Sequence, residues 1–137
     1  MTLDEAWEKV ARFHKQFGHP LSEKPVFIDA ERARKRYDWM LEEINEFIES
    51  NTIVDQADAM IDLIYFALGT LVEMGVKPDK PFEIVHEANM SKIWPDGTVH
   101  YNETGKTIKP KGWIDPYEKM KSVIVCEGSI PRPSGAL

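Results

Sequence analysis

Asp55-Gln56-Ala57-Asp58-Ala59-Met60-Ile61-Asp62-Leu63-Ile64-Tyr65-Phe66-Ala67-Leu68-Gly69-Thr70-Leu71-Val72 reads as one helix with a single polar stripe. Apolar residues cover most of its circumference, and a helix apolar nearly all round belongs in an interior. Asp55, Asp58, Asp62, Tyr65 and Gly69 recur at intervals of 3, 4, 3 and 4, so they stack on one face. The helix is predicted from about 54 to 74, closed by Gly75 and stopped by Pro78. Carboxylates on such a helix are costly unless something compensates them.

The segment before it supplies more acid, not base. From Glu42 to Asp62 there are seven acids and no Lys or Arg. A helix is predicted over 29–50, with Asp29 as its cap and Tyr37, Met40, Leu41, Ile44, Phe47 and Ile48 as its apolar face. Ser50-Asn51-Thr52 is too short for anything but a turn, so the two helices form an antiparallel hairpin. Glu43 and Glu46, with Glu42 as a further candidate, can point across it, while Glu49 reads as solvated surface. Opposed carboxylates make an oxygen-only site suited to Mg²⁺ or Mn²⁺.

Outward from the hairpin, residues 2–17 read as an amphipathic helix, with Thr2 and Glu5 at capping-box spacing. A fourth helix is predicted over 81–92. After Trp94 and Pro95 the texture changes to a small hairpin, a loop at Lys109-Pro110-Lys111-Gly112-Trp113 and a last short helix within 115–125. The expectation is an all-α domain over 1–127 with four main helices, a helical core at 2–92 and an irregular extension at 93–127. Residues 128–137 read as a loose tail.

Composition narrows the function. The 137 residues carry 17 Lys plus Arg against 23 Asp plus Glu, a net charge of −6, which argues against a nucleic-acid polymer or an anionic membrane as partner. Residues 1–91 hold 18 acids and 10 bases, a net of −8, whereas 92–137 hold 5 acids and 7 bases, a net of +2. One cysteine, Cys126, excludes an internal disulfide framework or a cysteine-built zinc site. No signal-like apolar stretch opens the sequence, and the longest nearly uncharged run, 59–72, is short of the about 20 residues that span a bilayer. A cytoplasmic setting is expected.

Glu42-Glu43-Ile44-Asn45-Glu46, followed by Asp58-Ala59-Met60-Ile61-Asp62-Leu63-Ile64-Tyr65 and by His86-Glu87-Ala88-Asn89-Met90-Ser91-Lys92, resembles the signature of the all-α nucleoside triphosphate pyrophosphohydrolases. That superfamily includes MazG, the dimeric dUTPases and phosphoribosyl-ATP pyrophosphohydrolase, and the likeness is greatest to the last group, over about 5–116. The resemblance implies metal ligation by Glu43, Glu46 and Asp58, completed by Asp55 or Asp62, with Glu42 as base or further ligand. Asp55 stands where the family has a glutamate.

Asn89 and Lys92 share a helix face and suit phosphate or sugar oxygens, and Lys106 and Lys109 in the basic segment are candidates to cover an anionic substrate. Trp39, Trp94 and Trp113 read as core or cover residues before base-stacking ones. The expected function is Mg²⁺-dependent hydrolysis of a nucleoside or deoxynucleoside triphosphate to monophosphate and pyrophosphate. The alternatives are the same chemistry on a non-canonical or phosphoribosyl nucleotide, and a non-catalytic helical module in which the metal drives oligomerisation. So apolar a third helix also predicts a homodimer or homotetramer.

Overall fold

The computed structural model describes residues 1–125, so Cys126 and the predicted tail at 128–137 lie outside the described residues. The architecture is all-α: α1 Leu3–Phe17, α2 Ala30–Glu49, α3 Ile53–Met74, α4 Asp79–Met90 and α5 Tyr117–Ile124. One two-stranded antiparallel ribbon, β1 His100–Tyr101 with β2 Thr107–Ile108, interrupts them. The helices gather into two compact units, Met1–Pro78 and a second beginning at Asp79. No single helix is long and apolar enough to cross a membrane among the described residues.

In the first unit the caps fall where the side chains dictate. Thr2 Oγ1 accepts from the Glu5 amide at 3.0 Å, and Glu5 accepts in return from the Thr2 amide, which satisfies two orphan donors of α1. Asp29 takes the Arg32 amide to start α2, and Thr52 takes the Asp55 amide to start α3. Gly75 ends α3 at φ +67, and a Cβ there would also strike the Lys24 carbonyl. The loop before α2 is thereby held against the end of α3, where Ser22 and Val26 amides donate to Val72 and Met74 carbonyls.

Trp7, Val10 and Ala11 of α1 pack on Leu68 and Val72 of α3 and make the core. The far end of the hairpin is polar and buried. Arg32 grips Glu73 with two bonds of 2.7 and 3.1 Å, and Arg36 reaches the same carboxylate at 3.0 Å. These α2 cations compensate Glu73 and leave the acids between Glu42 and Asp62 unmatched.

The third helix departs from expectation. Its apolar surface predicts burial on most sides, yet only Ala59, Leu68, Gly69, Val72 and Glu73 are buried, while Ile53, Val54, Ile61 and Ile64 are exposed. The reason is geometric: within the first unit α1 and α2 pack on α3 and cover two of its faces.

The second unit pairs α4 with α5. Its ribbon is braced by Trp94, which stacks on His100 at 4.1 Å and donates its indole N–H to the Ile108 carbonyl. Asp96 accepts from Thr98 and His100, and these bonds, the Thr98 hydroxyl first, hold its carboxyl down at about 2.

Candidate functional site

Along α2 the residues Glu43, Glu46 and Glu49 repeat every third position, and along α3 Asp55, Asp58 and Asp62 repeat at three and four. The hairpin runs antiparallel, since Arg36 donates to Thr70 at one end while Glu43 feels Asp62 and Asp58 towards the other. The two acid rows therefore meet in order. At the turn end Glu46, Glu49, Asp55 and Asp58 line a cleft of about 270 Å³ with Ser50 and Asn51. At the inner end Glu43, Glu46, Asp58 and Asp62 act on one another.

Glu43 is the buried member. Only 9% of it is exposed, and its Oε2 is buried without a hydrogen-bond partner. Burial above all, then the charges of Glu46, Asp62 and Asp58, push its carboxyl up to about 7. Asp62 is also raised, by burial first and then by Asp58 and Glu46. An orphaned buried carboxylate oxygen among like charges fits a hard divalent cation, whose charge would relieve both burdens. No three His, Cys, Asp or Glu among the described residues already form a closed ligand set.

Glu42 stands outside this group. It is exposed and is not among the charges acting on Glu43 or Asp62. In the second unit, Asn89 lies exposed in the last turn of α4, and the Lys92 amide donates to its carbonyl. Lys92 and Lys109 both lie over the Trp113 ring, at 5.3 and 5.2 Å from its centroid. Lys106 is exposed in the ribbon turn, its amide bonded to the Asn102 side chain.

One feature of the first unit escapes the motif reading. Phe13, His19, Trp39, Tyr65 and Phe66 line an apolar pocket of about 230 Å³ beside Arg36. Trp39 precedes Glu43 by four residues and Tyr65 follows Asp62 by three, so the pocket begins one helical turn from the acids on both helices. Two of its lining residues, Arg36 and His14, lie against Gly69, where a Cβ would meet Arg36 Nη2 and His14 Nε2. His14 is buried and donates from Nδ1 to the Pro20 carbonyl at 2.8 Å, and burial lowers its pKa. The 3-and-4 stripe running on to Tyr65 and Gly69 was the available signal. Trp39 and Arg36 gave none, because a surface-type tryptophan or arginine on an amphipathic helix is ordinary.

The sequence profile of phosphoribosyl-ATP pyrophosphohydrolase matches residues 10–89, more than half of the chain and all of the acidic hairpin. The chain belongs to that family. Pyrophosphohydrolase activity goes with this membership. A solved protein from Exiguobacterium sp. 255-15, provisionally named an NTP pyrophosphohydrolase, is 28% identical, with 88% of this chain and 94% of that chain aligned at a TM-score of 0.47. No curated protein matches.

Proposed function

We propose that the chain hydrolyses a nucleoside or deoxynucleoside triphosphate to the monophosphate and pyrophosphate, with Mg²⁺ or Mn²⁺ held by Glu43, Glu46, Asp58 and Asp62. The observation that carries the reading is the buried Glu43 carboxylate, its Oε2 without a hydrogen-bond partner, amid three further acids with no Lys or Arg among them. When bound, the cation would offset phosphate charge and acidify a water. Asp55 and Glu49 at the turn end extend the oxygen-rich surface, and Glu42, exposed and next to Glu43 in the chain, is assigned the proton of the attacking water. The aromatic pocket one turn away receives the base, whose faces stack on Trp39, Tyr65 and Phe66 without regard to identity. In the second unit, taken by itself, Asn89, Lys92, Lys106 and Lys109 carry donors suited to phosphate oxygens.

A screen of canonical nucleotides with Mg²⁺ and with Mn²⁺, scoring pyrophosphate separately from phosphate, tests the reading. Glu46→Gln and Asp58→Asn are each expected to reduce pyrophosphate release by orders of magnitude and to weaken Mn²⁺ uptake in calorimetry. Release at the wild-type rate by Asp58→Asn would overturn the assignment. A second reading, a phosphoribosyl nucleotide as substrate, is favoured by the family match, and phosphoribosyl-ATP belongs in the same screen.

A further inference from the structure

Trp113 is fixed with unusual completeness for a loop residue. Its indole N–H lies 3.0 Å from the Ala88 carbonyl and 2.9 Å from Ser91 Oγ, and Ser91 itself donates to Ala88 at 2.7 Å. The ring is thus pinned to the last turn of α4. The loop that delivers it is a β-turn, with the Trp113 amide donating to the Pro110 carbonyl at 3.1 Å and Gly112 at φ +85. That φ requires glycine at the third turn position.

Two ammonium groups lie against this ring, one from each side in sequence. Lys92 follows α4, and Lys109 precedes the turn. Among the described residues neither forms an ion pair, unlike Lys77, which lies over Trp7 and is bonded to Glu8 at 2.8 Å. Two unpaired cations held against one ring both attract negative charge to it, and an anion with more than one negative oxygen can meet both. A lysine side chain has much rotamer freedom to lose on binding, and a ring that already restrains it reduces that loss.

We propose that Trp113 is a positioning residue that holds Lys92 and Lys109 as a paired-cation site for a polyphosphate, either the triphosphate chain of a substrate or free pyrophosphate. Only the choice of polyphosphate as the anion rests on the function proposed above. Trp113 touches no reacting atom. It acts by restraining both ammonium groups at one ring.

The test is calorimetric titration of the full chain, free of divalent metal, with inorganic pyrophosphate, tripolyphosphate and orthophosphate. Lys92→Gln and Lys109→Gln are each expected to weaken pyrophosphate binding about tenfold, the scale of one charge-assisted hydrogen bond. Trp113→Ala is expected to weaken it as much, and Lys92→Gln is then expected to add little in the Trp113→Ala background. Trp113→Phe, which keeps the ring, should recover part of the loss, and it carries the test if the alanine variant fails to fold. Lys121→Gln, a cation of the same unit away from the ring, should change nothing. A preference for tripolyphosphate assigns the site to substrate, and one for pyrophosphate assigns it to product. In turnover, Trp113→Phe should raise KM with kcat kept. If Lys92→Gln costs the same with and without Trp113, or if orthophosphate binds as well as pyrophosphate, the proposal is wrong. Should no nucleotide be cleaved while these binding differences hold, the function fails and the paired site stands.

Discussion

Glu43 makes the protein's stability depend on pH in a direction that can be worked out. Its carboxyl titrates near 4.5 when unfolded and about 7 when folded. Between those values the folded chain holds a proton that the unfolded chain has released, so this group's contribution to stability falls as pH rises through the window. His14 acts oppositely. Its lowered pKa means that the unfolded chain binds more protons below 6.5, so its contribution rises as pH climbs towards that value. Glu43→Gln separates the two: thermal melts without metal should lose the decline between pH 5 and 7.5 and show a higher Tm at pH 7.5. A variant whose decline equals that of the wild type would contradict the raised pKa. Gly69 sets a second contest at this scale. Alanine would favour the helix by roughly 1 kcal/mol, but its Cβ would enter space held by Arg36 and His14. Arg36 cannot yield easily, being tied to Thr70, Glu73 and the Phe66 carbonyl. Overpacking of this kind costs about 1–3 kcal/mol, so Gly69→Ala is expected to be net destabilising in urea titrations.

The α2–α3 hairpin is built from two ends that differ in kind. At one end two arginines share a buried glutamate, and at the other the acids face one another with no base. Removing Glu73 leaves two guanidinium groups without their partner, one of them buried, and breaking a buried pair costs about 3–5 kcal/mol. Glu73→Gln should therefore lower the urea midpoint strongly, while Asp58→Asn, which removes one of several crowded like charges, should raise it slightly without metal. The reverse pattern, a raised midpoint for Glu73→Gln and a lowered one for Asp58→Asn, would show that the ends had been assigned the wrong way round. The boundaries of α1 and α2 and the end of α3 were legible because each is a local matter: Thr2, Asp29, Gly18 and Gly75 act within a turn of their own position, whereas α4, expected over 81–92, runs Asp79–Met90 and leaves Lys92 beyond its end. The Arg32–Glu73 and Arg36–Glu73 pairs were not legible, because their partners are about forty residues apart in sequence and meet only when the hairpin closes.

At the scale of the molecule, α2 and α3 leave much apolar surface uncovered, including Ile44, Ile48, Ile53, Val54, Ile61 and Ile64. Contiguous exposed apolar area of this kind marks an interface, and we propose that a second copy of the chain covers it. Light scattering at micromolar concentration is expected to give a dimer or tetramer mass, and Ile61→Lys to reduce it towards the 15.8 kDa of one chain. A wild-type mass of one chain would dispose of the interface. Sequence by itself determined the all-α class, the hairpin and the two acid rows, because helical periodicity and capping are short-range and a spacing of three or four names a face. The tertiary structure alone decided which acid is buried, where the aromatic pocket opens and which lysines share a ring. Burial, pKa and ring contact depend on what packs against a residue, and those neighbours come from helices and loops distant in the chain.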